Sequence, residues 1–158
     1  MKIHLLRHAD TEGFTNAGGD KERNLLPEGK ERALKMGAYL NENLSRKIAV
    51  YCSTSTRTRQ TAALVQSKFE YRNIQFKEEL YNASSSQIMN FVNGLEGHDA
   101  ILIIGHNDGI SDLTNLLTGD LIYLDTCQYV CIDLTATNWK EVSSDSGRLV
   151  DNYRPESI

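Results

Sequence analysis

Residues 100–109 read AILIIGHNDG. Five apolar side chains follow one another without the polar alternation of a half-exposed strand, the pattern of a parallel strand covered on both faces. The run ends at Gly105 and delivers a histidine, His106, at its carboxyl end. Outward from it, apolar runs alternate with helical stretches, so the expected fold class is α/β with a largely parallel sheet. Ile3 to Leu6 is the expected first strand, Ile48 to Cys52 the second and Ile74 to Lys77 a short third; Tyr129 to Leu134 and Trp139 to Val142 are the late ones.

Helices fill the gaps. From Pro27 to about Asn43 the residues Ala33, Met36, Gly37, Tyr39 and Leu40 keep helical spacing, and Pro27 suits a first turn. A second helix is expected from about Arg57 to Phe69. Ser84 and Gln87 form a capping-box pattern ahead of Ile88, Phe91, Val92 and Leu95. Ile110, Leu113, Leu116 and Leu117 mark one face of the helix after His106. Residues 13–26 are polar and glycine-containing and read as a surface loop. No linker interrupts the chain, which predicts one domain over residues 1–158.

The composition is that of an ordinary globular protein: 158 residues, 40% hydrophobic and 24% charged, with a net charge of −4. That charge argues against nonspecific nucleic-acid binding, which needs clustered Lys and Arg. Three cysteines, Cys52, Cys127 and Cys131, suggest reduced thiols and a cytosolic setting. Cys127 and Cys131 read as small apolar residues of a strand, because no second Cys or His pair stands near them to complete a zinc site. The opening MKIHLLRHAD is too short an apolar run for a signal peptide, and no window reaches the length of a membrane span. A cytoplasmic protein with no membrane partner is expected; the sequence sets no oligomeric state.

Polar motifs follow three of the expected strands: Arg7 and His8 after the first, Arg57 after the second, His106 after the fourth. In an open parallel sheet these are carboxyl ends, where ligands bind. Two Arg and two His in one cleft repel one another unless an anion sits among them, and the planar donor fork of Arg matches phosphate oxygens. Nearby positive charge keeps an imidazole neutral, with a lone pair free to attack phosphorus. Its other ring nitrogen must then be protonated and held, most simply by a backbone carbonyl. Taken singly, Arg7-His8 is an ordinary surface pair, Arg57 a helix-surface charge and His106 a helix cap. His4 reads as structural and His98, in a Gly-His-Asp turn, as solvated. The joint placement is what makes the reading chemical.

These residues resemble the histidine phosphatase superfamily over nearly the whole chain. LLRHADTE (5–12) is similar to its Arg-His signature, with Ala9 where many members have Gly. STSTRTRQTA (53–62) is similar to its Ser-x-x-x-Arg-x-x-Gln-Thr-Ala segment, and IIGHNDG (103–109) to its second-histidine motif. Arg23, Leu25, Gly29 and Ala33, with LYNAS at 80–84, resemble the SixA-like phosphohistidine phosphatases. The resemblance implies a phosphoglycerate mutase-like fold: three layers, α/β/α, with a mostly parallel mixed sheet flanked by helices. It implies a metal-independent phosphatase with no cofactor, acting on a phosphorylated protein or a small phosphorylated molecule. His8 is then the nucleophile that becomes phosphohistidine, with Arg7, Arg57 and His106 around the phosphoryl group and Asn16 among the substrate-binding residues.

Two departures from the pattern stand out. At the expected position of the general acid the chain has Asn82; Glu79, Asp10 or Glu12 are the carboxylates able to substitute. Asp108 replaces a common Pro and suits a helix cap. A phosphoglycerate mutase-like phosphotransferase would use the same nucleophile, but the short chain and Asn82 argue against it. A noncatalytic phosphate- or phosphoprotein-binding module would need only the Arg pair and helix ends, not two His. A metal-dependent hydrolase lacks ligands at the usual spacing.

Overall fold

The computed structural model describes residues 1–13 and 19–156. A six-stranded sheet in the order β3-β2-β4-β1-β5-β6 carries helices on both faces. β1 (Lys2–Arg7), β2 (Ala49–Ser53), β3 (Asn73–Lys77) and β4 (Ala100–Gly105) pair in parallel. β5 (Tyr129–Leu134) and β6 (Gly147–Tyr153) join antiparallel at the β1 side. The sheet is therefore mixed rather than largely parallel.

The two faces of the sheet are covered separately. α1 (Pro27–Asn43) and α2 (Thr56–Gln66) bury one set of side chains, among them Met36, Leu40, Val65, Leu102 and Ile104. α3 (Ser85–Asn93) and α4 (Gly109–Thr118) bury the other, with Ile88, Val92, Ile101, Ile103, Ile110 and Leu113. The run Ile101–Ile104 alternates between these two cores, which is why it shows no polar break. Each fully buried aliphatic side chain contributes roughly 1.5–3 kcal/mol.

Local chemistry sets the helix ends. Pro27 opens α1 where a first-turn N–H would have no partner. Ser55 caps α2 by accepting from the Thr58 backbone, and Ser84 with Gln87 closes the capping box of α3. Two glycines let helices press against the loops that carry the site. A Cβ on Gly29 would lie 2.2 Å from the Asp10 carbonyl oxygen, and one on Gly109 only 1.9 Å from that of Ala83.

Several expectations are corrected. Trp139–Glu141 is a 3-10 turn, not a strand; the buried Trp139 donates its indole N–H to the His98 carbonyl at 2.8 Å. The last strand is β6, a partly exposed edge whose polar residues Arg148, Asp151 and Asn152 gave no apolar signal. Leu116 is exposed rather than part of the buried face of α4. Cys127 precedes β5, in a left-handed turn with φ 55°, though it is buried. His98 is half-buried and its Nε2 meets the Tyr51 hydroxyl at 3.1 Å. Asp108 makes no capping bond; its Oδ1 accepts from the Tyr123 hydroxyl. The loop at 13–26 holds a 3-10 turn, Asp20–Glu22, and a bridge from Thr11 to Leu25. Asn16 lies outside the described residues.

Candidate active site

The carboxyl ends of β1, β2 and β4 are neighbours in the sheet, and the three motifs meet there. They line a cavity of ≈ 320 Å³ that holds Arg7, His8, Asp20, Arg57, Asn82 and His106 among its walls. His8 leaves β1 with its backbone fixed on both sides: its N–H donates to the Gly105 carbonyl, and its carbonyl accepts from Cys127. Its ring Nδ1 lies 2.8 Å from the Ala9 carbonyl oxygen. A carbonyl only accepts, so this nitrogen carries the proton and Nε2 keeps the lone pair. Burial pushes the His8 imidazole down to about 4, against the pull of the Ala9 bond; Arg57, Arg7 and Arg23 push in the same direction as burial. At neutral pH the ring is an uncharged base.

His106 stands with its ring centroid 5.4 Å from that of His8. Its Nε2 is 2.8 Å from the hydroxyl of Ser53, the fully buried last residue of β2. Burial, then the neighbouring His8 and Arg57, lowers His106 to about 3. With Ser53 as donor to Nε2, the proton of the neutral ring sits on Nδ1.

The Gln-Thr-Ala segment ties the first motif and the loop at Asn24–Leu25 to α2. Thr61 accepts from the Ala9 backbone at 3.0 Å and donates to the Arg57 carbonyl at 2.8 Å. Gln60 accepts from the Leu25 backbone and donates to Asn24. α2 thereby fixes both the chain just after His8 and the loop opposite.

Among the described residues, four buried polar side-chain atoms have no hydrogen-bond partner: Arg7 Nε, Arg57 Nε, His106 Nδ1 and Asp10 Oδ1. All four belong to residues lining this one cavity. Orphaned buried polar groups are rare and costly, about 1–3 kcal/mol each. Two of the four are obligate N–H donors and a third, His106 Nδ1, is one in the tautomer described above. Such a set is suited to a multiply charged oxyanion.

The candidate acids are placed unequally. Glu79 is exposed on the 3-10 turn Glu78–Leu80 and does not line the cavity. Glu12 faces Asn24, accepting from its backbone and side chain, and is not a lining residue either. Asp10 lines the cavity, but its Oδ2 pairs with Arg32 at 2.7 Å and Arg154 at 3.7 Å. The carboxylate that does stand in the site is Asp20. It accepts from Tyr81, Asn82 and Arg57 and pairs with Arg23. The Tyr81 hydrogen bond above all holds it well below the usual carboxylate range, so it stays ionised and donates no proton. Asp20 was not singled out from the sequence, and Ser53 and Tyr81 entered only as members of motif segments. Asp20 lies in a loop with no apolar frame to orient it, and no motif read from the sequence contains it. Among the described residues no three His, Cys, Asp or Glu side chains gather as a metal site, and no helix is long and apolar enough to cross a membrane.

Fold and site together define an α/β protein that sets a neutral, oriented histidine in one cavity with Arg7, Arg57 and His106. The chain belongs to the histidine phosphatase superfamily (branch 1), whose pattern matches residues 3–89. An uncharacterized protein of Mycobacterium tuberculosis is 32% identical over 113 residues, 71% of this chain and 69% of its own. An uncharacterized chloroplastic protein of Arabidopsis thaliana is 26% identical over 92% of this chain and 72% of its own. Among solved structures, the protein histidine phosphatase SixA complexed with tungstate superimposes with a TM-score of 0.83 at 19% identity, over 98% of this chain and 97% of its own. A protein of Agrobacterium tumefaciens assigned as a phosphohistidine phosphatase SixA does so at 0.84 and 22%, with the same coverage of both chains. At these identities the likeness is one of fold.

Proposed function

We propose that this chain is a phosphatase that takes the phosphoryl group onto His8 and hydrolyses it there, acting on phosphohistidine or a small phosphorylated substrate. The observation that carries the reading is that three orphaned nitrogens, Arg7 Nε, Arg57 Nε and His106 Nδ1, belong to residues lining the same cavity as His8. Phosphoryl oxygens satisfy those donors and bring phosphorus to the lone pair. Nε2 forms the bond to phosphorus as the bond to the leaving atom breaks, and charge on the equatorial oxygens is stabilised by the fixed donors. Water then attacks phosphorus, the P–N bond breaks with its electron pair returning to Nε2, and inorganic phosphate leaves. With Asp20 held ionised and Asn82 unable to act as an acid, the site suits leaving groups that depart without a strong proton donor, such as a protonated imidazole. SixA proteins, which share the fold, are named for phosphohistidine.

The direct test is to mix the protein with radiolabelled phosphoramidate or phosphohistidine protein and quench in alkali. An acid-labile, base-stable phosphoprotein labelled at His8 is expected. Turnover without any such species would sink the covalent route, and no turnover of any phosphorylated compound would sink the phosphatase reading.

Ser53 gives a second test. Without its hydroxyl, His106 is free to put its proton on Nε2 and present a lone pair to the phosphoryl group. Ser53→Ala is expected to lower kcat on the order of 10², close to the loss of one oxyanion donor, while Ser53→Thr retains most of it. Equal kcat in Ser53→Ala and the parent would show that the hydroxyl does not set the tautomer.

A further inference from the structure

The Arg57 guanidinium is almost wholly buried, and its outer end is held by Asp20 and Asn82. Nη1 donates to the Asp20 carbonyl oxygen at 2.7 Å, and Nη2 to the Asp20 carboxylate Oδ2 at 3.1 Å. Asn82 closes the arrangement: its Oδ1 accepts from Arg57 Nη2 at 3.3 Å, and its Nδ2 donates to Asp20 Oδ2 at 3.2 Å. Tyr81 donates its hydroxyl to the same carboxylate oxygen and lays its ring 5.9 Å from the Arg57 guanidinium carbon. Arg23 pairs with the other oxygen, Oδ1, at 2.9 Å. Of its five N–H groups, one on Nη1 and that of Nε are left over, and Nε is buried with no hydrogen-bond partner.

A guanidinium is planar, so fixing both Nη atoms fixes where Nε points. Asp20 uses its backbone and its side chain at once, which sets the plane as a bidentate pair does. We propose that Asp20, with Asn82 as its strut, is a positioning residue that turns the Nε edge of Arg57 toward the phosphoryl group. The proposal rests on the phosphatase reading for the identity of the anion. It also accounts for Asn82. A carboxyl at that position would face the Asp20 carboxylate at about the spacing where two like charges cannot both ionise. An amide instead accepts from Arg57 with one atom and donates to Asp20 with the other. The missing proton donor and the aimed arginine are two sides of one arrangement.

The opposite role for Asp20 is that of an internal anion competing with phosphate for Arg57. The two roles differ in sign. We would measure the dissociation constant of inorganic phosphate by calorimetry, and kcat and KM for an aryl phosphate, in the parent, Asp20→Ala, Arg57→Ala and the double variant. Asp20→Ala is expected to lower kcat about 10–100-fold, as for a group misplaced by about an ångström, and to weaken phosphate binding. In the Arg57→Ala background the same change should alter kcat less than about twofold, because its effect runs through Arg57. Asp20→Asn, which keeps an oxygen acceptor and the same shape, should recover part of the loss and serves if the alanine variant does not fold. Tighter phosphate binding in Asp20→Ala or Asp20→Asn would overturn the proposal in favour of competition. Equal losses in both backgrounds would overturn it in favour of a role independent of Arg57. Failure of the parent to bind phosphate at all would instead remove the phosphatase reading, so the two failures are distinct.

Discussion

Replacing His8 with alanine is expected to reduce turnover on the order of 10⁴–10⁶, as loss of a nucleophile does in other covalent enzymes, and to abolish the phosphoprotein. The fold should survive. The structural links of this residue are backbone ones, from its N–H to Gly105 and from its carbonyl to Cys127, and alanine keeps both. The side chain makes one local bond, to the Ala9 carbonyl, whose loss exposes no charge. Phosphate should still bind within several-fold of the parent affinity, because Arg7, Arg57 and His106 remain. The diagnostic result is this split between vanished kcat and retained binding, read by calorimetry and steady-state kinetics on one preparation. A His8→Ala protein that still forms the base-stable species would place the nucleophile elsewhere, and His106 would be the next to test.

The fold was legible where burial is complete. The run Ile101–Ile104 is fully covered on both faces, so its sequence could only be apolar, and the strand announced itself. α1 was bounded correctly at Pro27 and Asn43 because a proline start and a helical stripe are local signals. The sequence said least at the edge of the sheet. β6 needs no continuous apolar run, since none of its residues is fully buried and every second one is exposed, and its register passes an irregularity between Cys131 and Ile132 in its partner. Trp139 misled in the opposite way: a bulky apolar residue suggested a strand, whereas its burial is met by a single turn whose indole reaches His98.

The site divides along the same line. Residues that end or directly follow buried strands, Arg7, His8 and His106, inherit their positions from the sheet, so strand order alone brings them together. Asp20 comes from a loop tied down by side chains, and nothing in the spacing of a loop says which way a carboxylate will face. Glu79 and Glu12, two of the three candidate acids, meet the same difficulty. Nearness in sequence to a motif was the only guide, and the structure turns the first to solvent and the second onto Asn24. Ser53 was visible as part of a motif, but its meaning came only from the pairing of β2 with β4. That pairing sets the end of one strand beside the first residue after the other.

The three buried imidazoles make stability steeply dependent on pH. Burial is the main cause that lowers His4 to about 4, His8 to about 4 and His106 to about 3, whereas an unfolded chain titrates each near ~6.5. Between these values the unfolded state binds up to three protons that the native state refuses. The stabilisation is therefore fully present above the unfolded value and is lost as pH falls toward 4. Three protons correspond to a slope of up to roughly 4 kcal/mol per pH unit in the middle of the window, against a total stability of about 5–15 kcal/mol. Asp20 acts lower down: its depressed value stabilises the fold above the ordinary carboxylate range and fails only beneath it, so it does not offset the histidines. Urea unfolding in acetate and MES buffers, free of phosphate that would bind the site, should show stability falling by roughly 5–6 kcal/mol between neutrality and about pH 5. His4 lies away from the cavity, with its Nδ1 against the Tyr129 hydroxyl at 2.7 Å. His4→Gln should therefore lower stability at neutral pH yet reduce the slope by about one proton's worth. A stability that stays flat from neutrality to about pH 5 would show that the imidazoles take up protons inside the fold. In that case burial would not be what keeps His8 uncharged at neutral pH.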